Sequence, residues 1–89
     1  MLKNIILEKE HLTVNQQYNE YVMTSLRTSW GCDTIHIKNV FGNTFVEAFD
    51  KTALEFINSS KITKQGNIYR LTKHGKLFAD GIASDLFIF

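Results

Sequence analysis

The sequence predicts a mainly helical α+β domain with one small β-hairpin, and three features carry that expectation. Apolar residues recur every three or four positions behind residues able to cap a helix start. One pair of short β-prone runs flanks a glycine. Proline is absent from all 89 residues. With 44% hydrophobic residues the chain suits one compact domain, because a chain of this size hides roughly two-thirds of its unfolded surface. We expect a lead-in or linker over residues 1–12, where Ile5, Ile6 and Leu7 precede a charged run without a clear start signal, and a domain over 13–89.

Thr13 and Gln16 have the spacing of a capping box, in which each side chain satisfies a free backbone N–H at a helix start. A first helix is therefore expected from Val14 to about residue 29. Tyr18, Val22 and Leu26, joined by Tyr21 and Ser25, form its core face, and Gly31 sits where a left-handed C-terminal cap is needed. Glu20, Met23 and Arg27 form a second stripe on that helix, flanked by Asn19. Such a stripe is either a solvated face or a contact surface for a partner. Asp33 can cap a second, shorter helix with Ile37, Val40 and Phe41 at spacings of three and four and Gly42 as its stop, although the alternation Ile35, His36, Ile37 also suits a strand.

Thr44 with Glu47 repeats the capping-box spacing, and Phe45, Phe49, Ala53, Phe56 and Ile57 mark the buried side of a third helix ending near Ser59. Ile62, Ile68, Tyr69 and Leu71 around Gln65, Gly66 and Asn67 predict the hairpin. Thr72 is expected to cap a last helix with Leu77, Phe78, Ile82 and Leu86 inward. Gly75 and Gly81 would each weaken that helix by about 1 kcal/mol relative to alanine. Three helices, a hairpin and a C-terminal helix make a winged-helix-like arrangement.

Composition limits the functions this chain can carry. Ten Lys plus Arg against nine Asp plus Glu leave a formal charge of +1, so no overall field draws the protein to nucleic acid or anionic lipid. Apolar runs fall far short of the ~20 residues that cross a bilayer, and no signal-peptide pattern opens the chain. A cytoplasmic location without membrane association is expected. Cys32, the single cysteine, has only Asp33 beside it, whose charge would raise the thiol pKa, with His36 one helical turn away as a conceivable base. A small apolar residue in an interhelical loop is the better reading of Cys32. His11, His36 and His74 sit in separate elements without metal-ligand spacing, so no metal site and no catalytic residues are assigned.

DNA binding by a third helix would meet the wrong charge, since Glu47, Asp50 and Glu55 stand against a lone Lys51. Lys64, Arg70, Lys73 and Lys76 around the hairpin are the alternative nucleic-acid contacts, and would touch only a phosphate backbone.

The run NEYVMTSLRTSWGCD at 19–33, VFG at 40–42 and RLTKHGKLFADGIASDLF at 70–87 resemble the C-terminal domain of the oxygen-independent coproporphyrinogen III oxidase family, which includes the related haem chaperones. The resemblance spans residues 12–89. Its most specific part is Asn19, Glu20, Met23, Leu26 and Arg27, followed by Gly31 and Asp33; Leu71, Thr72, Gly75 and Asp80 form a second, more general part. It implies a radical S-adenosylmethionine parent, an oxidoreductase of porphyrin and haem biosynthesis, whose N-terminal barrel holds a 4Fe-4S cluster and S-adenosylmethionine on a C-x-x-x-C-x-x-C loop. This chain lacks that loop and resembles a separated accessory domain with no cofactor or activity of its own. Asn19, Glu20, Met23, Arg27 and Trp30 are then the residues expected to dock on or cover the missing barrel, a charged pair such as Glu20 and Arg27 giving orientation more than affinity. The resemblance leaves porphyrin or haem at the domain interface open, and nucleic acid is not the expected partner.

Overall fold

Thr13 opens the first helix as its spacing predicts. In a computed structural model, which describes residues 13–89, the Gln16 amide N–H donates to Thr13 Oγ1 at 3.1 Å and the Thr13 N–H donates to Gln16 Oε1 at 2.9 Å. The expected lead-in over 1–12, with His11, lies outside the described residues. Helix α1 runs Val14–Leu26 and buries Tyr18, Val22, Ser25 and Leu26. It stops three residues short of the expected end because a hydroxyl takes over the backbone pattern. Thr28 Oγ1 donates to the Ser25 carbonyl at 2.6 Å and accepts from the Gly31 N–H at 3.2 Å, turning the chain out of the helix.

Gly31 is thus not the helix cap that was expected. Its positive φ of 76° serves a close approach instead, since a Cβ there would collide with the carbonyl oxygen of Tyr69. The approach is needed because the next two residues, Cys32–Asp33, form strand β1, which the sequence reading missed. Cys32 therefore lies on a strand and not in a loop.

Helix α2 (Thr34–Val40) follows, capped by Asp33, whose carboxylate accepts from the Ile35 N–H at 2.9 Å. The helical reading of Ile35, His36 and Ile37 holds over its strand alternative. Gly42 ends α2, its N–H donating to the carbonyls of Ile37 and Lys38, and it also stands as N-cap of helix α3 (Asn43–Asn58). The expected Thr44–Glu47 capping box does not form: α3 starts two residues early, so Thr44 is already inside its first turn and no side chain caps the helix. Phe49 and Ala53 are buried along α3, with Phe45, Phe56 and Ile57 packed against the core.

Strands β2 (Ile62–Gln65) and β3 (Ile68–Leu71) form the expected antiparallel hairpin around Gly66 and Asn67, with Ile62 opposite Leu71 and Gln65 opposite Ile68. Strand β1 pairs antiparallel with the other edge of β3, Cys32 opposite Tyr69, giving a three-stranded sheet in the order β1-β3-β2. The Asn67 carbonyl accepts from the Thr34 N–H at 3.0 Å, tying the hairpin turn to the start of α2.

The expected last helix divides in two. Thr72 Oγ1 accepts from the Gly75 N–H at 2.9 Å and so opens a 3-10 turn, Gly75–Phe78, before helix α4 (Ala79–Leu86) begins. Three residues per turn instead of 3.6 move side chains out of the core phase. Leu77 and Phe78, expected inward, are therefore 78% and 47% exposed, while Ile82 and Leu86 are buried as expected. Gly75 is not a weak helix position but a contact, because a Cβ there would strike the carbonyl oxygen of Lys61.

The two glycines should separate cleanly in unfolding experiments. Gly75→Ala is expected to cost more than about 2 kcal/mol, as an overpacked site against rigid backbone does. Gly81→Ala, with open space around it, should gain about 0.5–1 kcal/mol in α4. Urea denaturation of both variants checks the pair.

Candidate functional site

Helix α1 presents two faces, and only the inner one is consumed by the core. On the outer stripe, Asn19 is half-buried and its amide faces the chain beyond α4. Asn19 Nδ2 donates to the Ile88 carbonyl at 2.9 Å and Asn19 Oδ1 accepts from the Ile88 N–H at 2.8 Å, pinning the segment Phe87–Phe89 to α1. Tyr18 adds a third tie, its hydroxyl donating to the Leu86 carbonyl at 3.0 Å. Glu20 is exposed, and Met23 is partly so. Arg27 ion-pairs with Asp80 on α4, both side chains lying largely in solvent. Arg27 therefore takes its acidic partner from α4 and not from Glu20 on its own helix.

Among the described residues, two depressions lie along α1. Gln16, Asn19, Glu20 and Met23 on one side and Phe87 and Phe89 on the other enclose a groove of about 420 Å³. Arg27, Lys76, Leu77, Phe78, Asp80 and Gly81 line a broader pocket of about 710 Å³ at the opposite end of the helix. The structure thus places Asn19, Glu20 and Met23 in one depression and Arg27 in the other, while Trp30, 69% exposed in the loop after α1, lines neither. Phe87, Phe89 and Lys76 join these sites through tertiary contact alone. Asp80 was legible only as part of the resemblance, because no helical spacing links it to Arg27, 53 residues earlier.

Most of the remaining candidate groups are held in structural contacts. Cys32 is fully buried, and burial pushes its thiol up to about 12; a hydrogen bond from Ser25 opposes the shift and the Asp33 charge adds to it. His36 is exposed and stacks on Tyr21 at 4.4 Å, while His74 meets the Phe78 ring edge-on at 5.3 Å. Arg70 is engaged by the Ser29 carbonyl at 2.7 Å and Gln65 Oε1 at 3.1 Å, and Lys64 Nζ lies 5.4 Å from the centre of the Tyr69 ring. Lys73 and Lys76 are exposed. Among the described residues, no group of three His, Cys, Asp or Glu side chains could hold a metal ion. A single buried thiol held in its protonated form does not fit an iron-sulfur cluster, which takes several thiolates. No helix of the described residues is long and apolar enough to cross a membrane.

Two measurements follow from these contacts. Cys32, Tyr18 and Tyr69 all titrate above their ordinary values, Cys32 and Tyr18 through burial first, and Tyr69 through burial first and then its hydrogen bond to Asp50. The unfolded chain releases these protons from pH 9.0 for the thiol and 10.0 for the phenols, while the folded chain keeps them. Urea stability should therefore be level near neutrality and fall as pH rises above about 9. Alkylation of Cys32 at about pH 8 should run at least ~100-fold slower in the native protein than in urea. Asn19→Ala, by removing both bonds to Ile88, should cost about 1–3 kcal/mol and speed amide exchange at Ile88.

Among known protein families, the one described as the HemN C-terminal domain matches residues 12–78 of the chain. No curated protein and no solved structure matches it.

Proposed function

Since the chain belongs to the HemN C-terminal domain family, we propose that it is the accessory domain of a radical S-adenosylmethionine protein resembling oxygen-independent coproporphyrinogen III oxidase, acting in cytoplasmic porphyrin and haem biosynthesis. A C-terminal domain implies an N-terminal partner domain, and the family implies a 4Fe-4S cluster and S-adenosylmethionine in the parent. The donor set of this chain does not fit such a cluster, so the radical chemistry belongs to the N-terminal body. The contribution of these residues is a surface that docks on or covers the barrel.

The observation that carries this reading is the state of the family's most specific run. Of its residues, Leu26 goes to the core and Asn19 holds the C-terminal segment, but Glu20, Met23 and Arg27 stand exposed in a row. A solvent-facing methionine between two charges suits an adaptable apolar contact with an orienting rim. Asp80 fixes the direction of the Arg27 guanidinium without withdrawing it from solvent. Trp30 adds an exposed aromatic beyond the end of α1.

Arg27→Glu in the full-length parent tests the proposal. Because the Arg27–Asp80 pair is exposed, the substitution should change the stability of the isolated domain by no more than about 1 kcal/mol. Docking or turnover should fall at least tenfold, about 1.4 kcal/mol of coupling. Unchanged docking and turnover would falsify the docking role. Tight duplex DNA binding with a steep negative salt slope would instead favour Lys64, Arg70, Lys73 and Lys76 as the working surface.

A further inference from the structure

The groove and the pocket lie on one line. Gln16, Glu20, Met23 and Arg27 are spaced four, three and four residues apart, so they follow a single face of α1 over about 16 Å. The groove occupies the first part of that face and the pocket its end, with the mutually neutralising pair of Arg27 and Asp80 at the junction of α1 and α4. Exposed apolar side chains gather along it: Met23, then Phe89 beside the groove, and Leu77 and Phe78 at the pocket. The charges at its two ends differ in sign. Glu20 is the charged side chain lining the groove, whereas Lys76 stands free on the pocket rim and Lys61 Nζ lies 4.8 Å from the centre of the Phe78 ring.

We infer that this polarised strip, including the Asn19-held segment Phe87–Phe89 and the 3-10 turn Leu77–Phe78, is the face seated against the N-terminal partner domain. The partner presents an apolar side chain beside a cation to the groove at Glu20, and an apolar side chain beside a carboxylate to the pocket at Lys76. The inference rests on the docking reading above and extends it to residues from the far end of the chain. Asn19 is a positioning residue here. Both ends of its amide are spent on Ile88, so it builds the groove wall and makes no bond to the partner. Family membership supports the choice of occupant, since a C-terminal domain implies an N-terminal partner domain, and Gln16, in the first turn of α1, is itself part of the groove. Opposite charges at the two ends allow one orientation of the partner and penalise its reverse.

Titrating the isotope-labelled chain with the N-terminal body of a HemN-family protein, produced without its own C-terminal domain, tests the strip by NMR. Resonance shifts should concentrate at Gln16, Glu20, Met23, Leu77, Phe78 and Phe89. Glu20→Lys and Leu77→Ser should each weaken binding at least tenfold, and Leu54→Ser, an exposed apolar site lining neither depression, should leave it within twofold. All three positions are exposed, so matching thermal melts can confirm that each variant folds. Binding that proceeds through other residues, or that ignores both Glu20→Lys and Leu77→Ser, overturns the strip and leaves the docking reading standing. Absence of any binding by the wild-type chain overturns both.

Discussion

Tyr18 must bury a phenol completely and still find a partner for its hydroxyl, and the architecture is arranged around that demand. Its ring packs against Phe41 at 5.8 Å and Phe45 at 5.1 Å, which draws the α2–α3 corner onto α1. The hydroxyl reaches the Leu86 carbonyl at the end of α4, where the last carbonyls of a helix lack partners within the helix. One side chain thereby joins three parts of the fold. An unsatisfied buried hydroxyl would cost about 1–3 kcal/mol, so the position of α4 on α1 is set by a polar requirement inside an apolar core. Asn19 repeats the device one residue later on the backbone of Ile88.

The other two tyrosines do similar work around the sheet. Tyr69 packs edge-on against Phe49 at 4.9 Å and donates to Asp50 at 2.6 Å, fastening β3 to α3. Tyr21 accepts from the Asp33 N–H at 2.9 Å and holds β1 beside α1. Between these anchors Cys32 is sealed on the inner side of the sheet, and burial more than the Asp33 charge beside it favours the protonated thiol. Its thiol sits where water does not reach.

A domain organised this way spends many of its polar groups on internal ties. The Arg27–Asp80 pair contributes little to stability, because two solvated side chains gain modest Coulomb energy and lose rotamer freedom. The pair stands at the junction of α1 and α4. Among the basic residues around the hairpin, Arg70 is engaged by Ser29 and Gln65, whereas Lys73 and Lys76 are exposed. The chain belongs to the HemN C-terminal domain family, and its internal ties rather than its exposed charges hold the fold together.

Periodicity and capping chemistry, read along the chain, were enough for the order of three helices, a hairpin and a C-terminal helix, and for α1 with its capping box at Thr13 and Gln16. The family was also legible, because the run from Asn19 to Asp33 is specific. Strand β1, the 3-10 turn that exposes Leu77 and Phe78, the loss of the Thr44–Glu47 box and the Asp80 partner of Arg27 were decided by tertiary structure. The reason is range. Helix signals act between residues three or four apart, and a single sequence displays them. A two-residue strand exists only because β3 offers it an edge, and Asn19 meets Ile88 across 69 residues only because Tyr18 has already fixed the end of α4 beside it.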